Sequence, residues 1–353
     1  MLRCLSYRRG EITVIRWGTI GCGSVCEVKS APALAKATGS SLAAVMARTA
    51  ATAESYAARH NVPRWTTDPA EIIHADDVDA VYIATPVSTH LDYALEVAAA
   101  GKPCYVEKPI ARCVEEASTL HNAFAEAGLP LFVAYYRRAL PRFVELKTHL
   151  QNGTIGELQN VRHTLTRTPF PGGDLPWRLE AEHAGGGFFM DLGSHTLDLL
   201  DWLVGPLTLT NSTVERRDTQ HYLVDDFVDL TFTAGEVTGR GGWDFTADHR
   251  SDELEFRGTN GVITMSCFGD DAMKIRHQND DPREGDVCSN PPHIQLPLIQ
   301  SMVDELNGLD TRCPSTGHSA LRTAEFMDAT LAPYYGARPA GFWATPDSWP
   351  GLK

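Results

Sequence analysis

At 353 residues the chain is long enough for two packed domains, taking roughly 100–200 residues per domain, and its 43% hydrophobic and 22% charged residues are those of a globular protein. A formal net charge of −14, with no stretch basic enough to follow a phosphate backbone, argues against a nucleic-acid partner. No run reaches the ~18 apolar residues of a membrane span, and residues 1–10 lack the apolar core and cleavage site of a secretory signal, so they are expected to be a frayed extension.

The 8 cysteines (Cys4, Cys22, Cys26, Cys104, Cys113, Cys267, Cys288, Cys313) form no C-x-x-C and no paired framework. Reduced thiols, a cytoplasmic location and no metal site are expected.

Along residues 11–135, short apolar runs alternate with helical patterns, the signature of βαβ units on a parallel sheet. Strands are expected at 12–17 (ending at Gly18), 41–47, 79–84, 104–106 and 131–135. Helices are expected at 25–38, 52–59, 88–100 (stopping at Gly101) and 114–127. The 79–84 run is apolar almost throughout, as for a strand buried on both faces. From 136 to 335 the rhythm changes. Helices at 141–151, 187–203, 296–308 and 319–331 surround alternating segments at 159–168, 207–216, 224–233, 236–245, 253–257 and 262–265. Period-2 alternation with Ala234-Gly235 and Asn260-Gly261 turns points to a large, mostly antiparallel open sheet. The outward face of 224–233 is expected to retain Val and Phe and to join two subunits. Residues 336–353, rich in Pro, Gly and Trp, are expected to wrap the surface or a partner subunit.

The turn after the first strand reads Gly21-Cys22-Gly23-Ser24-Val25-Cys26. Gly21 and Gly23 fit the first two positions of G-x-G-x-x-G, and small Cys26 takes the third. Gly21 permits the tight turn and Gly23 a close approach to a pyrophosphate, while Ser24 and Val25 open a helix whose free N–H groups favour an anion. An NAD-selective site commonly puts a carboxylate at the end of the second strand. Here Arg48-Thr49 stand there. Arg48 can pair with a 2′-phosphate or stack on an adenine, and Thr49 adds a hydroxyl. NADP is therefore expected over NAD.

Three further segments fall at strand ends or in the second part: Thr85-Pro86-Val87-Ser88-Thr89-His90, Glu107-Lys108-Pro109, and Gly185-Gly186-Gly187 leading to Asp191 and His195. Oxidising a carbinol requires a group that takes the hydroxyl proton while hydride leaves the carbon. Lys108 can act on the developing alkoxide, and a neighbouring nicotinamide cation would lower its pKa. Asp191 and His195, four apart, would lie about 40° apart on one α-helical face. They can orient a substrate and bond its hydroxyl, or stitch helix to sheet; a metal would need a third ligand. Asp198 on the same stripe reads as structural. Thr85, Pro86 and His90 are expected to border the nicotinamide ribose, although His90 also suits a satisfied helix N-terminus. Of Arg137 and Arg138, at most one can point into a site.

Together these motifs resemble the Gfo/Idh/MocA family, the glucose–fructose oxidoreductase and inositol dehydrogenase group, over nearly the whole chain. The resemblance implies an N-terminal Rossmann domain and a C-terminal α/β domain whose open sheet forms a dimer face. It places the family's catalytic Lys on Lys108 and its Asp and His on Asp191 and His195. It also implies cofactor contacts at the glycine turn, Thr85, Pro86, His90, Glu107 and Lys108, and substrate contacts at Arg137, Trp177 and Arg178. The expected activity is hydride transfer between NAD(P) and a carbinol or carbonyl of a sugar, cyclitol or related diol, in a homodimer or homotetramer. A nucleotide sensor that has lost catalysis, and an enzyme using transient oxidation to drive elimination, are the alternatives. Retention of Lys108, Asp191 and His195 favours the first reading.

Overall fold

The structure is a computed structural model; it describes residues 13–277, the backbone of 283–284, and 290–353, so the expectation for residues 1–10 lies outside the described residues. The chain divides into two units, the first made of Met1–Ala111, Glu116–Leu140 and Pro291–Leu321, the second of Arg112–Glu115, Pro141–Asn290 and Arg322–Lys353. A single sequence boundary near 135 therefore does not capture the short excursion of Arg112–Glu115 to the second unit or the return of Pro291–Leu321 to the first. Residues 291–321 return to the first unit because Gln295 bonds Tyr105 and Glu107, and Thr316 bridges Phe132.

The first unit is a six-stranded parallel sheet: β1 (Ile15–Ile20), β2 (Ser40–Met46), β3 (Arg64–Thr66), β4 (Ala80–Ile83), β5 (Cys104–Val106) and β6 (Leu131–Val133), in the order β3-β2-β1-β4-β5-β6. This is the doubly wound dinucleotide-binding order, with its switch point between β1 and β4. Every residue of β4 is buried, as its unbroken apolar run requires. β1 does not end at Gly18. It runs on to Ile20, and the glycine is there for packing, since a Cβ would meet Ile72 Cγ2 at 2.5 Å. The three-residue β3 carries no alternating pattern long enough to read in the sequence.

The second unit holds an eight-stranded sheet: β7 (Leu158–Thr166), β8 (Thr208–Glu215), β9 (Phe227–Ala234), β10 (Val237–Asp244), β11 (Ser251–Gly258), β12 (Gly261–Met265), β13 (Lys274–His277) and β14 (Arg283–Glu284). The order is β14-β13-β12-β11-β7-β10-β9-β8, antiparallel except for the central β7–β10 pair. Val228, Leu230 and Phe232 of β9 are buried. Its opposite face carries Phe227, Asp229, Thr231 and Thr233, so the Val and Phe expected to face outward lie, apart from Phe227, on the core side. The C-terminal residues close onto their own unit. Trp349 is buried, its ring centroid 4.7 Å from that of Tyr335, and its Nε1 donates to the Phe342 carbonyl at 3.1 Å.

Candidate functional site

In the first unit, Gly21 adopts φ +103°, and a Cβ there would come within 2.6 Å of the Ala84 carbonyl at the end of β4. Only glycine fits that turn. At Gly23 a Cβ would meet no protein atom within 4 Å, so the backbone faces open space at the start of the helical segment. Exposed Ser24 and half-buried Val25 begin that segment, which widens into a π-turn at Cys26–Ser30 before the helix Ala31–Lys36. Cys26 is fully buried with its Sγ 3.1 Å from Tyr56 Oη, and burial pushes its thiol up to about 12. It packs the helix against the sheet as the third glycine would, and is no nucleophile. The cradle thus fits a dinucleotide pyrophosphate.

At the end of β2, Arg48 and Thr49 are both exposed. Thr49 caps the helix Ala50–His60, accepting from Thr52 N at 3.3 Å. Arg48 makes no hydrogen bond or ion pair with any described residue.

After β4, Thr85 is half-buried and Pro86 exposed. His90 is fully buried, with Nε2 3.1 Å from the Thr85 carbonyl and Nδ1 3.1 Å from that of Pro109. Burial lowers its pKa, opposed by the carbonyls. Its ring lies between the loop after β4 and the loop after β5. Glu107 is also buried. Its Oε1 accepts the Tyr82 hydroxyl at 2.7 Å and Gln295 Nε2 at 2.9 Å, and its Oε2 accepts the Lys108 N–H at 3.2 Å. Glu107 is thereby bonded to the backbone of Lys108, which stands half-buried at the end of β5 and precedes a cis proline, Pro109. Of the two arginines after β6, Arg138 donates to the Pro314 carbonyl at 3.2 Å, and buried Arg137 lies over the Tyr136 ring at 5.2 Å.

In the second unit the triple glycine is dictated by close approach. A Cβ at Gly187 would fall 1.9 Å from the Asp225 carbonyl, and one at Gly185 (φ +82°) would fall 2.5 Å from that of Arg112. Asp225, whose pKa burial raises, accepts from Gly187 N at 2.9 Å and from the Tyr335 hydroxyl at 2.6 Å. The expected continuous helix 187–203 instead opens with a π-turn, Phe189–Gly193, followed by the helix Ser194–Val204. Asp191 sits in the π-turn and His195 in the first turn after it, so the 40° α-helical relation does not apply. Asp191 Oδ2 pairs with Arg178 Nε at 3.0 Å, and the Arg178 guanidinium lies 4.4 Å over the Trp177 ring. Trp177, Arg178 and Asp191 thus form one half-buried cluster. His195 is buried, with its ring 6.2 Å from that of Phe268. Asp198 is buried and accepts from Thr323 Oγ1 at 3.4 Å.

Sequence reading missed Phe268, Arg142, Asp252, Gln295 and Arg338, which are isolated polar or aromatic residues with no motif around them. Among the described residues no group of three or more His, Cys, Asp or Glu is placed to hold a metal ion, and no helix is long and apolar enough to cross a membrane.

A Rossmann sheet with a glycine cradle at its switch point, in a chain whose second unit is built on an open mixed sheet, defines a dinucleotide-dependent oxidoreductase. Residues 15–135 match the model of the Gfo/Idh/MocA oxidoreductase family, NAD-binding Rossmann fold, and residues 143–264 match the Gfo/Idh/MocA C-terminal domain. Oxidoreductase P35 of Formosa agariphila is 35% identical over 295 residues, 82% of this chain and 90% of that protein. The chain belongs to the Gfo/Idh/MocA family. Levoglucosan dehydrogenase of Pseudarthrobacter phenanthrenivorans is 32% identical over 149 residues, 42% of this chain and 38% of that protein. Among solved structures, levoglucosan dehydrogenase in complex with NADH and L-sorbose shares the fold (TM-score 0.82, 22% identity, covering 90% of this chain and 96% of that one). A 3-ketoreductase from Actinomadura kijaniata in complex with NADP and TDP-benzene gives a TM-score of 0.77 at 25% identity, covering 92% and 98%.

Proposed function

We propose that this oxidoreductase moves a hydride between NADP(H) and a carbinol or carbonyl carbon of a sugar, cyclitol or related diol. The observation that carries the reading is the first unit's strand order, with the Gly21–Gly23 cradle at its switch point and Lys108 at the carboxyl end of β5, where open α/β sheets place ligands. Relatives point to the same substrate class: levoglucosan dehydrogenase, 1,5-anhydro-D-fructose reductase and inositol 2-dehydrogenase are among them.

Gly21, Gly23, Ser24 and Val25 hold the pyrophosphate on backbone N–H groups, and Thr85 and Pro86 border the nicotinamide ribose. The bound nicotinamide supplies the hydride acceptor or donor. Lys108, Asp191 and His195 form the acid–base set. Lys108 takes the hydroxyl proton on oxidation and returns it on reduction. His195 bonds the reacting hydroxyl, and Asp191, paired with Arg178, orients the substrate. Positioned acid–base groups contribute about 10²–10⁴-fold. Trp177, Arg178 and Arg137 complete the substrate contacts. Arg48, exposed and unbonded among the described residues, selects NADP over NAD.

The protein works in the cytoplasm as a homodimer or homotetramer joined through the outer face of the second sheet; light scattering that gives a monomer mass at micromolar concentration would refute the assembly. Fluorescence titration with NADPH and NADH, followed by a screen of polyol and sugar oxidation by absorbance of the reduced nicotinamide, tests the activity. Cofactor binding with turnover of ring polyols is expected. Binding without any turnover would favour a nucleotide sensor, and cofactor retained through purification with no net redox change would favour elimination chemistry.

A further inference from the structure

In the second unit, residues 266–273 link β12 to β13, and residues 266–271 of this link are gripped by two side chains of opposite charge. Asp252, near the start of β11, accepts the backbone N–H groups of Cys267 at 3.0 Å, Phe268 at 2.6 Å and Gly269 at 3.0 Å. Three consecutive amides converging on one carboxylate make an anion nest, filled here by the protein's own side chain. Arg142, 5% exposed, donates to the carbonyls of Ser266 at 3.1 Å, of Asp271 at 2.9 Å and of Gly269, and to Ser266 Oγ at 3.3 Å. Bonds to charged groups are roughly twice as strong as neutral ones.

What the grip fixes is the Phe268 ring. It is half-buried and stands nearly perpendicular to the buried His195 ring, at 78° and 6.2 Å between centroids. Thr196, the residue after His195, lies with its Oγ1 3.6 Å from Cys267 Sγ, so the loop and the head of the helix Ser194–Val204 meet over two successive residues. An imidazole that bonds a hydroxyl and an aromatic ring held beside it at right angles offer two kinds of surface. A cyclic polyol has the same two: hydroxyls around its rim and an apolar C–H face. An open-chain polyol presents no such face without ordering several torsions, at an entropy cost.

We propose that Phe268 is a specificity-determining residue: its ring covers the C–H face of a cyclic polyol whose hydroxyl is bonded by His195, and so favours ring substrates over open-chain ones. This rests on the substrate class and the His195 role given under the proposed function.

The test compares wild type with Phe268→Ala and Phe268→Leu on two ring compounds, levoglucosan and scyllo-inositol, and two open-chain ones, sorbitol and glycerol. Phe268→Leu keeps most of the side-chain volume, so a folding failure of Phe268→Ala leaves the test intact. Thermal melting and NADPH affinity are measured alongside. In the variants the KM of whichever ring compound is turned over should rise about five- to tenfold with kcat largely retained, and discrimination against open chains should fall correspondingly. If Phe268 merely buttressed His195, kcat would fall on every substrate with KM for ring compounds unchanged, and that result overturns the proposal. Wild type that oxidises ring compounds while Phe268→Leu matches its KM overturns the proposal alone. Wild type that neither binds nor oxidises either ring compound overturns the substrate class and this inference with it.

Discussion

Gln295 Nε2 donates to Glu107 Oε1 at 2.9 Å across 188 positions of sequence. The same carboxylate oxygen takes the Tyr82 hydroxyl, and Gln295 Oε1 takes the Tyr105 hydroxyl at 2.8 Å, so four buried side chains close a network on β4, β5 and the returning segment. The other Glu107 oxygen accepts the Lys108 N–H. The position of the candidate catalytic lysine is therefore inherited from a glutamine almost two hundred residues away.

Gln295→Leu should leave the Tyr105 hydroxyl buried without its acceptor and Glu107 short of one donor. The expected loss is about 1–3 kcal/mol of stability for each group left unsatisfied, read by urea unfolding, together with a lower kcat. Unchanged stability would mean that the network is not formed in solution.

Asp252 supplies a pH dependence. Burial pushes its pKa up, but His163 and the amides of Phe268, Cys267 and Gly269 pull it down further, so the folded value lies below the ordinary one. A carboxyl depressed on folding stabilises above its unfolded pKa of about 3.9 and loses that contribution as pH falls through the folded value. Wild type should thus be more stable than Asp252→Asn at pH 7, and the gap should shrink below about pH 4. Denaturant melts across that range decide it; a gap independent of pH would contradict the assignment.

Arg338 should behave as a structural rivet for the triple glycine. It pairs with Asp328 at 2.8 Å, the two side chains being 1% and 13% exposed, and donates to the carbonyls of Arg112 and Gly185 at 2.8 Å each. Removing one partner of a buried pair costs about 3–5 kcal/mol. Arg338→Ala should show a loss of that order by calorimetry or denaturant, and Asp328→Ala a similar one.

The fold was legible wherever local pattern determined it. The helices at Val114–Ala127 and Pro141–Gln151 and the strand at Cys104–Val106 have the bounds that periodicity and flanking glycine or proline imply. Gly18 misled because a strand glycine reads as a stop, whereas here it makes room for Ile72 and Val78. The π-turn at Phe189–Gly193 was hidden because its apolar spacing is also that of an α-helix. The candidate site was half legible. The glycine turn, Lys108, Asp191 and His195 sit in recognisable motifs, and Arg178 was flagged without its pairing to Asp191. Asp252, Arg142 and Gln295 act through partners far along the chain, which no single-sequence pattern encodes.

Arg48 should set cofactor preference. A charge-assisted contact to a 2′-phosphate contributes roughly 1.5–3 kcal/mol, about one to two decades in affinity. Arg48→Asp removes the attraction and adds repulsion, so the NADPH/NADH preference should reverse. If Arg48 only stacks on adenine, Arg48→Ala would weaken both cofactors equally. Dissociation constants for both cofactors in wild type and the two variants separate these outcomes.

The central claim is that Lys108 moves the hydroxyl proton, and Lys108→Met tests it most directly. Steady-state turnover is measured on any ring polyol the wild type oxidises, with NADPH affinity measured by fluorescence on the same preparations. The account predicts near-wild-type cofactor affinity with kcat reduced about 10²-fold or more. Wild-type turnover in Lys108→Met would contradict it.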